Sequence, residues 1–259
     1  MGALETRFAV GGETLDAGRR GNPTLAPRVC GRIMSMKGRL LRLLGGLLRE
    51  AEVVEVSTPG PSFRLLQLRV AGGGDVAWRP GDKVQVLLPS DDVRTYTPLW
   101  WGADGVTELL VYTHGDTPAS RWVREVEVAA RLRFVGPQRS LTMPPGPIVL
   151  IGDETSVAVA ASYARARPGQ VRAWLEVGEG VAVDGALAAA GLGGADVVVR
   201  PPGTPRGEAL ARALPRLEGT VGITGAADLV QRVRAGLRQR GVGGIKTKAY
   251  WIEGRVGLD

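Results

Sequence analysis

The sequence changes rhythm at residues 143–147, "MPPGP", and that change restricts the fold more than any other feature. Before it lie short alternating or β-branched runs, "AEVVEVSTP", "FRLLQLRV", "DKVQVLLP" and "TELLVYTH", separated by the turn residues "PGPS", "AGGG" and "RPGD". Short strands at this spacing predict a small antiparallel β-barrel, closing near "LRFVGPQRS". After the break, strand and helix patterns alternate. "PIVLI", "VRAWLEV", "ADVVVR" and "TVGITG" read as strands, and "SVAVAASYARA", "GALAAAGL", "TPRGEALARALPRL" and "AADLVQRVRAGLRQRG" as helices. This order predicts an α/β domain with a parallel sheet covered on both faces. Thr204 is placed as an N-cap with Pro205 in the first turn, and Gly241 as a C-terminal stop. The predicted organisation is a poorly ordered extension over 1–36, a barrel over 37–143, an α/β domain over 147–245, and a tail over 246–259 that returns to the cleft between the two. "MPPGP" is read as the hinge.

The 259 residues are 44% hydrophobic, enough for two cores. The longest leucine-rich stretch, "GRLLRLLGGLLRE" at 38–50, is broken by arginines and a Gly-Gly pair; it reads as a short amphipathic helix on the protein body, with a membrane surface as the second reading. One cysteine, Cys30, excludes an internal disulfide, a Cys-rich zinc site and a cysteine-ligated iron–sulfur cluster. One histidine, His114, excludes a histidine-based metal site. No secretory pattern opens the chain, so a cytoplasmic location is expected. The net charge is +7, but the arginines are scattered among acids with no basic arm. An anionic small molecule, or a genome that favours arginine, accounts for the surplus without nucleic acid.

The densest aromatic and polar run is "VRTYTPLWW" at 93–101. Arg94 is suited to gripping a phosphate bidentately. Tyr96, two residues on, shares its face in extended chain and offers a plane for an isoalloxazine ring. Thr95 and Thr97 add hydroxyl and backbone groups, and Trp100 and Trp101 are candidates to close the ring's surroundings. The alternative is a barrel strand with an aromatic core cluster. A second feature is "HGDTPASRW" at 114–122. Thr117 as N-cap and Pro118 at the first helical position mark a helix start whose free amides suit an anion. Gly115, Ala119, Ser120, Arg121 and Trp122 belong to this turn; the alternative is an ordinary capped helix. Two phosphate-suited sites in one barrel fit FAD.

The order "VSTPGPSFRLLQL", "PGDKVQVLLP", "RTYT", "HGDTPASRW", "GPQRS", "GDETS" and "YWIEG" resembles the siderophore-interacting protein family, FAD-dependent ferric-siderophore reductases related to ferredoxin–NADP reductases. The resemblance spans roughly residues 47–255. It implies a ferredoxin reductase-like fold. It further implies that Arg94 holds a flavin phosphate, Tyr96 stacks on the ring, Thr97 lies near its reactive edge and Gly115 to Arg121 bind the pyrophosphate. Three positions depart from the family pattern: Pro98-Leu99 follow "RTYT", Thr117 replaces a glycine, and Ile252 replaces a basic residue after Tyr-Trp. The last departure bears on the acceptor more than on the flavin.

On the donor side, "IGDETSV" follows the first α/β strand, where dinucleotide folds are usually glycine-rich. Here Gly152 is joined by Asp153, Glu154 and Thr155, and carboxylates at a helix start favour the helix while repelling phosphate. A nicotinamide cofactor is therefore expected to bind weakly or elsewhere, NADPH ahead of NADH, with Arg200, Arg206, Arg232 and Arg234 as phosphate contacts; a reduced ferredoxin is the third donor reading. His114 reads as a packing or adenine-side residue rather than a base, and no catalytic acid or base is assigned. At the C-terminus Lys246, Lys248 and Tyr250 share one side of an extended segment and Trp251 takes the other. These four form the expected substrate side for an anionic ferric chelate; the alternative is solvated lysines and a pinned tail. The expected function is ferric-siderophore reduction with release of Fe(II). The other readings are a flavin reductase for another acceptor, such as a monooxygenase partner, and a flavin- or ligand-binding protein without turnover.

Overall fold

The computed structural model describes residues 48–254. The predicted extension over 1–36 and nearly all of the leucine-rich segment lie outside the described residues; Arg49 and Glu50, at its end, open the first strand.

Seven strands form the N-terminal half: β1 (Arg49–Ser57), β2 (Phe63–Val70), β3 (Lys83–Leu87), β4 (Val93–Tyr96), β5 (Pro98–Trp101), β6 (Val106–Tyr112) and β7 (Arg131–Gln138). Their order is β4-β3-β7-β1-β2-β6-β5, antiparallel throughout. The two outer strands, β4 and β5, are joined by the single residue Thr97. The chain itself therefore links the two edges of the sheet, closing the barrel at that residue. This accounts for Pro98, a departure from the family pattern: a proline opening an edge strand forfeits no ladder bond that the sheet needs. Period-two alternation sends Leu66, Leu68, Val70, Val84, Val86, Leu109, Val111, Leu132 and Phe134 into the barrel core. A helix, α1 (Pro118–Glu125), adds Val123 to that core, with Ala119 and Trp122 packed against it.

The C-terminal half contains β8 (Ile148–Asp153), α2 (Val157–Ala166), β9 (Val171–Gly178), α3 (Asp184–Ala189), β10 (Asp196–Arg200), α4 (Glu208–Ala213), β11 (Thr220–Ala226), α5 (Ala227–Gln239) and β12 (Lys246–Trp251). The five strands are parallel, in the order β10-β9-β8-β11-β12. The segment predicted as a tail thus begins as the last strand of the sheet. Helices α2 and α3 pack on one face, and α4 and α5 on the other. The sheet's order turns at β8, so the crevice between β8 and β11 is where such folds take ligands.

The two halves pack through α2. Its "VAVAASY" run is buried on every side, because small residues let the helix lie between the sheet and the outer face of β5 and β6. The predicted hinge is pinned: the Tyr163 hydroxyl donates to the Leu141 carbonyl at 2.7 Å and accepts from the Met143 amide at 3.1 Å, and Arg167 donates to the carbonyls of Met143 and Pro144. A second sequence expectation is corrected at α4. The helix begins at Glu208 with Gly207 as its cap, not at Thr204. The Glu176 carboxylate accepts from the amides of Gly207 and Leu210, which fixes the start of the helix there.

Candidate active site

β4 carries Arg94 and Tyr96 opposite Val86 and Val84, so both face the barrel's inner side. Among the described residues, the Arg94 guanidinium donates from Nη1 to the carbonyl of Val93 at 2.9 Å and lies 3.9 Å from Asp92, which engages few of its five N–H donors. Tyr96 packs against the barrel core, and burial pushes its phenol above the usual range, with Arg94 opposing the shift. Thr97 is buried at the closure. The two tryptophans do not gather around a ring. Trp100 donates to Glu108 at 2.7 Å beneath the Arg165 guanidinium, and Trp101 donates to the Gly73 carbonyl and packs on Phe134.

The start of α1 is as expected. The Thr117 hydroxyl caps it, accepting from the Ser120 amide at 3.1 Å, with Pro118 next. The Ser120 hydroxyl is spent on the His114 carbonyl at 2.8 Å, and Arg121 pairs with Asp116 at 2.8 Å. Arg124 donates to the Gly115 carbonyl. The Arg121 amide bonds to the Thr117 carbonyl, and the Ala119 amide, in the first turn, has no intrahelical acceptor, as at any helix start.

Where the end of β6 meets the end of β12, rings stack across the boundary between the halves. Tyr112 and His114 lie 5.3 Å apart, His114 and Trp251 6.1 Å apart at 28°, and the Arg206 guanidinium sits 4.5 Å over Trp251. Burial holds the His114 imidazole below its ordinary value, with Asp153 opposing. Burial, reinforced by the charges of Glu154 and Asp153, pushes the Tyr112 phenol up to about 12. The Tyr250 hydroxyl is buried beside Thr97 and Thr224 without a bond of normal geometry to either.

The acidic loop is built into the sheet. Asp153, 1% exposed, accepts from the Thr155 amide at 3.0 Å, the Thr155 hydroxyl at 2.5 Å, the Ala226 amide at 2.7 Å and the Trp251 indole at 3.0 Å. Glu154 accepts from the Gly178 amide at 2.6 Å; burial raises its carboxyl above the usual range, and that bond opposes the rise. Gly152 packs so closely that a Cβ there would lie 2.1 Å from the Ser156 hydroxyl.

With a seven-stranded antiparallel sheet whose edge strands are joined by Thr97, followed by a five-stranded parallel sheet, the comparison with solved structures becomes informative. The fold is that of the ferredoxin reductases. The siderophore-interacting protein of Acinetobacter baumannii superposes with a TM-score of 0.66 at 20% identity, over 81% of this chain and 92% of that one. A siderophore utilization protein from T. fusca gives 0.66 at 22% identity, over 82% and 95%. A cytochrome P450 reductase from Amycolatopsis gives 0.61 at 24%, over 78% and 70%. No protein-family profile and no curated protein matches the sequence.

FAD fits the ferredoxin-reductase barrel of this chain by the chemistry of its donors. Arg94 and the Ala119 amide have capacity for phosphate oxygens, and the orphaned Tyr250 hydroxyl at the closure has capacity for a polar ring edge. Of the expected substrate side, Tyr250 and Trp251 pack on opposite faces of the sheet. Lys246 pairs with Gly222, five residues back from Trp251 and roughly 16 Å along the strand. Of the expected phosphate arginines, Arg200 lies 3.6 Å from Glu176 and donates to the Thr204 carbonyl, and Arg232 donates to the Arg206 carbonyl. Sequence reasoning passed over Tyr112 and Glu176. The signal for Glu176 was a lone carboxylate inside the apolar strand "VRAWLEV", which has to find donors once buried.

Proposed function

We propose that the chain is an FAD-dependent reductase that passes electrons from a reduced donor, NAD(P)H or a reduced ferredoxin, to a ferric siderophore and releases Fe(II). The observation that carries this reading is the barrel closure at Thr97, three residues beyond Arg94, where the Tyr250 hydroxyl is buried beside Thr97 without a hydrogen-bond partner among the described residues. The acceptor class in this reading is drawn from the superposing siderophore-interacting and siderophore utilization proteins. When bound, the flavin accepts an electron pair and returns electrons singly. In this reading Arg94 and the start of α1 hold its phosphates, Thr97 and Tyr250 meet the ring's polar edge, and Tyr96 supports the ring. Trp251 and His114 line the acceptor's approach, and Lys248 adds positive charge. Fe(II), with less charge than Fe(III), is held far less tightly by hard oxygen ligands, which makes reduction a release step. A cytoplasmic location belongs to the proposal. Ile252, where the family carries a base, favours as second reading a flavin reductase for another small acceptor.

The test is single-turnover chemistry. The flavin-loaded protein is reduced photochemically without oxygen and mixed with an anionic ferric chelate in the presence of an Fe(II)-specific chromophore. Reoxidation of the flavin with matching Fe(II) is expected. A reduced flavin that persists in the chelate's presence and is reoxidised only by another acceptor supports the second reading.

A further inference from the structure

The parallel sheet presents its backbone donors where a dinucleotide's phosphates would approach, at the strand ends around β8. In this chain those donors are already taken by its own carboxylates. In the β8–β11 crevice, Asp153 accepts from the amides of Thr155 and Ala226 and from the Trp251 indole. Gly225, at φ 109°, leaves no slack there: a Cβ on it would lie 2.6 Å from the Asp153 carboxylate. At the end of β9, Glu154 occupies the Gly178 amide at 2.6 Å. At the start of α4, Glu176 occupies the amides of Gly207 and Leu210 with both oxygens. The residues bearing these carboxylates are at most 5% exposed. A pyrophosphate entering here would face three carboxylates and find their amides engaged, and like charges at short range in a poorly solvated crevice repel strongly. Among the described residues, two cations face this row: Arg200 is turned toward Glu176 at 3.6 Å and the Thr204 carbonyl at 3.2 Å, and Arg206 is stacked 4.5 Å over the Trp251 ring.

We propose that Asp153, Glu154 and Glu176 are built-in occupants of the sheet's phosphate seats, so that the α/β domain excludes pyridine dinucleotides, with Glu154, the least buried of the three, as the specificity-determining residue. The inference builds on the flavin-reductase reading by removing NADPH and NADH as sheet-bound donors, which leaves a reduced protein carrier of the ferredoxin kind.

The test is a binding titration, independent of turnover. The flavin-loaded protein is titrated calorimetrically with NADP⁺, NAD⁺ and ADP-ribose, each to millimolar concentration, and FAD content is measured in the same samples. No saturable binding is expected for the native chain. Glu154→Ala frees the Gly178 amide and removes one charge. A charge-assisted contact is worth about 1.5–3 kcal/mol, so the variant should gain roughly ten- to a hundredfold in affinity and show saturation. Should Glu154→Ala not fold by circular dichroism, Glu154→Gln removes the charge alone and is expected to gain about tenfold. Micromolar binding of any of the three ligands by the native chain overturns the proposal. So does an unchanged absence of binding in a folded variant, because the carboxylate would then not be what excludes the ligand. Loss of FAD from these samples would count against the flavin reading and not against this one.

Discussion

His114 joins the barrel's last strand before α1 to the end of the parallel sheet, and its protonation reports on that contact. Burial lowers its pKa below the ordinary 6.5, so the unfolded chain takes up the proton more readily than the folded one. The stability tied to neutral His114 is therefore complete above pH 6.5 and is lost as the pH falls from 6.5 through the lowered value. Because the chain has one histidine, its imidazole proton resonances are unambiguous. An NMR titration is expected to give a midpoint below 6.5, with the thermal unfolding temperature falling over the same interval. A midpoint at or above 6.5 would mean that Trp251 and Tyr112 do not bury the ring. At this scale the sequence was legible where a signal is local. Thr117 and Pro118 are a cap because neighbouring residues make them one. The Asp153–Trp251 bond was hidden because its partners are far apart along the chain and meet only when β12 joins the sheet.

Among the elements, α4 shows how one buried carboxylate overrides a local preference. Thr204-Pro205 is a good helix opening by propensity, yet the chain stays non-helical until Gly207, whose φ of 78° suits the turn into the helix. Glu176 holds that start by three amide contacts from two residues. Its removal leaves buried donors unsatisfied and Arg200 without its anion, at a cost of about 1–3 kcal/mol for each orphaned group. Glu176→Ala is expected to lower the urea midpoint accordingly, and Glu176→Gln, which keeps one acceptor, to lower it less. Equal midpoints for Glu176→Ala and the native chain would remove the carboxylate from the α4 junction. The strands of the barrel were legible because alternation is a property of each strand alone. The roles of Trp100 and Trp101 were not, since they depend on which sheet face meets α2 and which meets Phe134.

For the whole molecule, the two-part architecture was legible because the change from strand–turn to strand–helix rhythm runs through the entire chain. The junction between the halves was legible only in outline, because it is made by α2 packing between the parallel sheet and β5 and β6. The central claim is that the chain holds an FAD at the barrel's closure. It is tested most directly by heat-denaturing the purified native chain and its Arg94→Ala variant and quantifying the flavin released. The native chain is expected to release FAD, approaching one per chain when FAD is supplied in excess. Arg94→Ala is expected to bind it roughly ten- to a hundredfold more weakly, the loss of a charge-assisted phosphate contact of about 1.5–3 kcal/mol. A native chain that binds no FAD even when it is supplied, or an Arg94→Ala variant with undiminished affinity, would contradict the assignment.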